Sequence, residues 1–139
     1  MGYTTKFKGE LVIEPCPTTE IVELINKMTH IRHDDRKFPS IWCQWIINSD
    51  NKLEWNGAEK FYNYIEWLEY LIENIFVPNG YYLNGRIRYR GERLEDIGVI
   101  YVKDNEVKNI RGIYDVTDDE ILITITMDEN GNTKMEILT

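Results

Sequence analysis

The chain has 139 residues, a formal net charge of −8 and 12% aromatic residues, and these values exclude several classes of protein. The length predicts one domain with its own core, and the aromatic content is too high for a disordered chain. The 24 acidic residues outnumber the 16 basic ones, which disfavours a non-specific nucleic-acid binder. The sequence shows neither an apolar run of membrane-spanning length nor a secretory leader, so we expect a cytoplasmic protein without membrane association.

The first half of the chain predicts a strand, a helix and a β-hairpin. A strand at 3–13 is followed by a helix at 18–29, where apolar residues recur at helical spacing after two threonines that can cap it. Aromatic and β-branched residues at 41–47 predict a second strand. Residues 52–55 form its return strand after a polar turn.

A long second helix is predicted at 58–76, where it ends before a proline and a glycine. Its apolar residues cover a wide arc, which indicates either deep burial or contact with a second subunit. We therefore expect a homo-oligomer, with Trp67 and Tyr70 at the interface.

The rest of the chain predicts strands separated by tight turns. These strands lie at 81–90, 97–103, 106–113, 120–127 and 133–138. The order of elements predicts an α+β fold, in which a mainly antiparallel sheet carries two helices packed on one face. We expect a single domain at 1–139 that ends in a C-terminal β-hairpin extension at 114–139.

The strand at 81–90 combines an apolar face with a basic one. With a period of two residues, the apolar face consists of Tyr81, Leu83, Ile87 and Tyr89. The other face consists of Tyr82, Asn84, Arg86, Arg88 and Arg90. Like charges along one strand face repel unless an anion lies opposite them, and that anion is either a carboxylate of the protein or a bound ligand. The sequence leaves both alternatives open.

As a ligand site, the basic strand face predicts binding of a small anion of the nucleotide type. Arginine side chains form paired, charge-assisted hydrogen bonds with phosphate, and aromatic rings stack on bases. In this hypothesis the three arginines hold phosphates, Asn84 reads a hydroxyl or a base edge, and Tyr82 and Trp42 stack. Gln44 and Lys60 complete the site.

Other clusters of chemically active residues predict neither a catalytic site nor a metal site. His30 and His33 precede two aspartates, but interleaved arginines compete for those carboxylates, so a charged surface loop is the favoured interpretation. Cys43 has no histidine beside it in the sequence to activate it as a nucleophile, and a disulfide with Cys16 stays open. The glutamates of the second helix fit a solvated face. We expect no cofactor.

The aromatic segments between residues 40 and 107 follow a distinctive pattern. They include Ile41-Trp42-Cys43-Gln44-Trp45, Glu59-Lys60-Phe61-Tyr62-Asn63-Tyr64, Tyr82-Leu83-Asn84-Gly85, Gly91-Glu92 and Asp96-Ile97-Gly98-Val99-Ile100. This pattern, with the opening residues 2–10, resembles an uncharacterised family of small bacterial and phage proteins. The chain departs from that family after Met28, where relatives carry a longer insert, and after Ile113, where a tail is added. The resemblance implies no activity.

These patterns predict a non-enzymatic binding protein. Its expected partner is a small anionic, nucleotide-like ligand, and in a phage setting the expected purpose is to sequester a host immune signal. The alternative is an acidic interaction protein that mimics nucleic acid or plugs the basic cleft of a host defence enzyme.

Overall fold

The fold is α+β, as the sequence predicts, and antiparallel strands make up most of it. A computed structural model describes residues 2–111 and three strand segments at 113–114, 123–127 and 133–137. In chain order the elements are β1 (Lys6–Glu14), α1 (Thr19–Met28), β2 (Trp45–Ile47), β3 (Lys52–Trp55), α2 (Tyr64–Leu71), a π-helical segment (Ile72–Phe76), β4 (Tyr82–Arg90), β5 (Ile97–Lys103), β6 (Glu106–Arg111), β7 (Ile113–Tyr114), β8 (Ile123–Met127) and β9 (Thr133–Ile137).

Six of the strands form one antiparallel sheet in the order β2-β3-β1-β4-β5-β6. β1 and β4 lie at its centre and pair along their whole length. Their register runs from Lys6 opposite Arg90 to Glu14 opposite Tyr82. Since side chains alternate between the faces of a strand, this register decides which residues of the two strands share a face.

Two glycines make the close pairing of β1 and β4 possible. Gly9 has a φ of 118° and Gly85 a φ of 142°, which side-chain-bearing residues rarely adopt. A β-carbon on Gly9 would lie 2.7 Å from the carbonyl oxygen of Arg86, and one on Gly85 would lie 3.0 Å from that of Glu10. Any side chain at either position would therefore strain the backbone and push the two central strands apart.

The helices and one face of the sheet, here called the inner face, share a single core. Alternation along β4 turns Leu83, Ile87 and Tyr89 to this face, where they are buried, as the sequence predicts. The other core residues come from both helices, the π-helical segment and the remaining strands; they include Leu11, Ile13, Ile21, Ile25, Met28, Trp45, Ile47, Leu53, Trp67, Leu68, Leu71, Ile72, Ile75, Phe76, Ile100 and Val102.

α1 begins and ends within a residue of its predicted limits. The Thr18 hydroxyl accepts a hydrogen bond from the Ile21 amide at 3.3 Å and so caps the first turn. Ile21, Ile25 and Met28 are buried at helical spacing, which fixes this helix on the sheet.

α2 begins six residues later than the sequence predicts, at Tyr64 instead of 58. Lys60 and Asn63 have φ values of 60° and 54°, and this left-handed backbone cannot be part of an α-helix. The chain between β3 and α2 is therefore an irregular loop. β2 is also shorter than predicted, since it begins at Trp45 and not at 41.

A second antiparallel sheet contains β7, β8 and β9 in that order. Strands β8 and β9 correspond to the predicted C-terminal hairpin, whose turn at 128–132 lies outside the described residues. Cα atoms of β7 come within 8 Å of β5, and those of β8 within 8 Å of β6. Ile97 and Val99 of β5 are buried in a small cluster apart from the main core, although they point away from the helices.

Alkaline pH should destabilise the fold. Burial raises the pKa of Tyr64 and Tyr89 above their ordinary value of 10.0, and it raises the pKa of Cys43 from 9.0 to about 12. The unfolded chain therefore releases these protons first as the pH rises, so the free energy of unfolding falls above about pH 9. We expect urea midpoints to decrease from about pH 9 to about pH 11.

The Tyr64→Phe variant should lose part of this pH dependence because it removes one of the buried hydroxyls. Tyr82→Phe is the matched control, since it removes the hydroxyl of an exposed tyrosine. A Tyr64→Phe slope equal to that of the control would contradict the role assigned to burial.

Candidate functional site

The arginines of β4 lie on the face of the sheet opposite the helices, here called the outer face. Arg86 and Arg90 are exposed and Arg88 is half-buried, whereas their neighbours Ile87 and Tyr89 are buried. The division of this strand into an apolar and a basic face, predicted from its period of two residues, is confirmed.

β1 adds two further cations to the outer face. Lys6 lies directly opposite Arg90, and Lys8 lies directly opposite Arg88. Like charges in such cross-strand positions are destabilising, by up to roughly 1 kcal/mol per pair. We call the five cations of these two strands the basic patch: Lys6, Lys8, Arg86, Arg88 and Arg90.

The nearest carboxylate on β1 is already engaged elsewhere. Glu10 lies opposite Arg86, but its carboxylate accepts hydrogen bonds from Asn48 at 3.0 Å and from Lys52 at 3.3 Å. Lys52 forms an ion pair with Glu10, and both side chains are partly exposed. Glu10 therefore serves two partners in and beside the β2–β3 hairpin.

β5, on the other side of β4, adds no carboxylate next to the arginines. The residues opposite Arg86, Arg88 and Arg90 are Tyr101, Val99 and Ile97. Arg88 and Lys8 each have an interaction partner. Within residues 2–111, Lys6, Arg86 and Arg90 form no ion pair. Three of the five cations in the basic patch thus have no ion-pair partner in this part of the chain.

The dimensions of the basic patch follow from strand geometry. Residues on one face of a strand repeat every ~6.6 Å, and neighbouring strands lie ~4.8 Å apart. From Arg86 to Arg90 the patch therefore extends about 13 Å along β4, and it is two strands wide. This spacing suits a ligand with several separated anionic groups better than it suits a single phosphate.

Tyr82 and Asn84 lie on the outer face too, but beyond the basic patch. Tyr82 is 56% exposed and lies opposite Glu14, about 13 Å along the strand from Arg86. The Asn84 side chain accepts a hydrogen bond from the Asp104 amide at 2.8 Å and donates one to its carboxylate at 3.3 Å. Asn84 thus holds the turn between β5 and β6, while the Tyr82 ring is open to solvent.

Trp42, Gln44 and Lys60 lie together in a cleft of about 630 Å³. This cleft forms where the chain enters β2 and leaves β3, so it is at one edge of the sheet. Because β3 and β1 separate β2 from β4, it is three strand spacings, about 14 Å, from the arginines of β4, and two, about 10 Å, from the lysines of β1. The eight residues predicted to form one ligand pocket therefore do not converge: the structure divides them among the basic patch, the Tyr82 end of β4 and the edge cleft.

The side chain of Gln44 has a structural role in the edge cleft. It is buried, accepts a hydrogen bond from the Trp55 indole at 3.1 Å and donates one to the Glu59 carbonyl at 2.9 Å. Both ends of the amide are thus occupied. Trp42 and Lys60 are exposed and keep their side chains available.

The two residues predicted at a subunit interface pack inside the chain. Trp67 is fully buried, stacks on Phe38 at 5.9 Å and donates a hydrogen bond from its indole to the Ser40 hydroxyl at 2.7 Å. Tyr70 is half-buried against Phe38, with ring centroids 5.3 Å apart. The loop that follows α1 therefore covers the wide apolar arc of α2, and Trp67 presents no surface to a second subunit.

The histidine cluster divides in the structure. His33 is buried against Phe38 and Trp67 and lies 3.0 Å from the Met28 carbonyl oxygen, whereas His30 is exposed. Arg36 hydrogen-bonds Asp34 at 3.1 and 3.2 Å, and these bonds hold the pKa of Asp34 below its usual value. Among the described residues, no three His, Cys, Asp or Glu side chains converge as a metal site.

The cysteines and the helix glutamates occupy contrasting environments. Cys43 is buried and Cys16 is exposed, and both are free thiols. Burial raises the pKa of Cys43 to about 12, which opposes the thiolate form that a nucleophile requires. The glutamates at 59, 66, 69 and 73 are all exposed, as expected for a solvated face.

Sequence reasoning missed the lysines of β1 and the aromatic partner of Trp42. Lys6 and Lys8 alternate with Phe7 in β1, which is a signal that both lie on its outer face. Their position opposite Arg90 and Arg88 depends on strand pairing, which composition does not reveal. Tyr62 is 47% exposed and lines the edge cleft with Trp42, through a loop that was predicted to be helical.

Comparisons with family models, with curated proteins and with solved structures give no match. The resemblance to small bacterial and phage proteins thus stays a prediction. No helix in the part of the chain that the structure describes is long and apolar enough to cross a membrane.

The two thiols should differ in reactivity. In the folded protein, iodoacetamide should modify Cys16 alone, because Cys43 is buried and its pKa is raised. Mass spectrometry should detect one adduct on the native protein and two after unfolding in urea. Rapid modification of Cys43 in the native state would show that it is accessible and would reopen its candidacy as a nucleophile.

Proposed function

We propose that this protein is a non-enzymatic binding protein that holds a multiply anionic, nucleotide-derived ligand on the basic patch. The observation that carries the proposal is the position of Lys6 directly opposite Arg90, on the same face as the exposed Arg86, in a chain of net charge −8. A bound anion would remove the repulsion within this pair and add charge-assisted hydrogen bonds to arginine.

The distribution of charge supports a short ligand over a long nucleic acid. The basic patch attracts an anion locally, while the excess of carboxylates over the whole chain repels an extended polyanion at longer range. A ligand with two or three phosphates fits both the patch length of about 13 Å and this opposing field.

The biological role that we propose is sequestration of a nucleotide signal, and in a phage setting that signal belongs to the host's immune response. A binding protein needs only affinity and no reactive group. The net charge of −8 also favours the alternative of an acidic inhibitor that contacts a basic host protein. In that alternative, nucleotides do not bind.

Charge reversal at the two exposed arginines tests whether a nucleotide binds at the basic patch. We would titrate the protein with cyclic di-AMP, cyclic di-GMP and a linear adenylate trimer by calorimetry. Arg86→Glu/Arg90→Glu should lower the affinity for the nucleotide that binds by about 100-fold, since it removes two charge-assisted contacts worth roughly 1.5 kcal/mol each. Affinity should also fall with increasing salt.

The matched control for this experiment is Arg32→Glu/Lys37→Glu. It makes the same change in net charge at two exposed positions of the loop after α1. An equal loss of affinity in both variants would show that the effect depends on net charge alone and would contradict a site at the basic patch. Failure of every nucleotide to bind the wild-type protein would exclude the proposed function and favour the inhibitor.

The basic patch should carry a measurable stability cost. Lys6→Glu replaces a repulsive pair with an attractive one opposite Arg90, so urea unfolding should show a gain of roughly 0.2–1 kcal/mol. Lys6→Gln should give a smaller gain because it only removes repulsion. Both variants should bind the nucleotide probe more weakly; a loss of stability in Lys6→Glu would show that the lysine has another partner.

A further inference from the structure

The edge cleft is a concave surface that is distinct from the basic patch. Its volume of about 630 Å³ is within the range of about 300–1,000 Å³ that is usual for ligand sites. Trp42, Gln44, Glu59, Lys60 and Tyr62 line it together with Asp35 of the loop after α1.

Hydrogen bonds within the chain hold the walls of the edge cleft in place. The Ser40 hydroxyl accepts from the Trp67 indole at 2.7 Å and donates to the Tyr62 carbonyl at 3.0 Å. Asn63 donates to the carbonyl of Pro39, and Gln44 joins both sides as described above. The cleft is therefore preorganised. Its Ser40, Asn63 and Gln44 side chains are engaged in hydrogen bonds within the chain.

The aromatic side chains of the edge cleft are unusually open to solvent. Trp42 is 45% exposed and Tyr62 is 47% exposed. The Trp42 side chain forms no hydrogen bond or ring contact with the other described residues, whereas Trp45 and Trp67 are fully buried. Two large rings exposed at one concavity offer an apolar surface to a partner.

The charges of the edge cleft distinguish its ligand from that of the basic patch. Asp35 and Glu59 are exposed and have no ion-pair or hydrogen-bond partner for their carboxylates among the described residues. Lys60 is the one cation among the lining residues, so the cleft carries a formal charge of −1. This charge opposes a phosphate and favours a cation.

We infer that the edge cleft binds an organic cation, a guanidinium or ammonium group that lies against the rings of Trp42 and Tyr62 and pairs with Glu59 and Asp35. Aromatic faces attract such cations, and tryptophan does so most strongly. The occupant that we assign is an arginine side chain of a basic peptide segment in a partner protein, because the net charge of −8 attracts a basic partner. This inference does not depend on the nucleotide site.

Titration with a short peptide tests the assignment directly. The probe is a hexapeptide that contains two arginines, and its control is the same peptide with citrulline, which keeps the planar shape but replaces the charged guanidinium with a neutral urea group. Quenching of tryptophan fluorescence should accompany binding of the arginine peptide, since Trp42 is exposed. Equal affinity for the citrulline peptide would overturn the inference.

Substitutions should locate this binding at the edge cleft. Trp42→Ala should lower the affinity for the arginine peptide by about 3- to 30-fold, and Glu59→Gln should lower it by about 2- to 5-fold. Tyr82→Ala and Glu66→Gln are the matched controls, since they change an exposed ring and an exposed carboxylate elsewhere. Calorimetry should measure these affinities. An unchanged affinity of Trp42→Ala for the arginine peptide would exclude this site.

Further comparisons distinguish a peptide from a small guanidinium compound as the source of the cation. They also distinguish binding at the edge cleft from binding at the basic patch. Arginine amide that binds as tightly as the peptide would assign the edge cleft to a small guanidinium compound, whereas a tighter peptide supports a protein segment. Competition by an adenylate would overturn the cation assignment, because it would show that Trp42 stacks a base. Arg86→Glu/Arg90→Glu should leave peptide binding intact, so failure of the nucleotide site would not affect this result.

Discussion

The pairing of β1 with β4 is the constraint on which the rest of the structure depends. Its register places Leu11, Leu83 and Ile87 towards the helices and five cations on the other side. A slip of one residue would expose the apolar set and bury the charged set, so the energy of the core fixes the register. The placement of these cations on one face is therefore imposed by packing on the inner face.

Charge is divided unevenly over the molecule as a result. The centre of the outer face is cationic, the edge of the sheet is weakly anionic and aromatic, and the glutamates of α2 face solvent. The like charges that face each other across β1 and β4 cost folding energy. An uneven surface of this kind is more readily understood through recognition of other molecules than through stability. The two proposed ligands differ in sign because the two surfaces do.

Local sequence patterns predicted which face of each helix or strand is buried. They did not predict which elements lie next to each other in the sheet. Alternation in β4 and the capped, periodic α1 were recognisable because each depends on residues close in sequence. Trp42 was assigned to the same pocket as Arg88 because nothing in a sequence without long-range information reveals that β3 and β1 lie between them. The register of β1 against β4 was hidden for the same reason.

The misplaced start of α2 has a different cause. Lys60 and Asn63 adopt left-handed backbone, although neither is a glycine. Tertiary contacts decide this region: the Trp45 indole donates to the Tyr64 carbonyl, and Gln44 donates to that of Glu59. Trp67 is likewise surrounded by residues distant in sequence, because Phe38 and His33 pack on it from a loop that carries no recognisable periodicity.

The two central glycines bear on how this protein can evolve. Gly9 and Gly85 bring the backbones of β1 and β4 together without help from the charged side chains around them. The scaffold and the chemistry of the outer face are consequently specified by different positions. Other polar residues can therefore replace lysine and arginine on the outer face while the sheet stays the same, whereas a change at either glycine would alter the sheet itself.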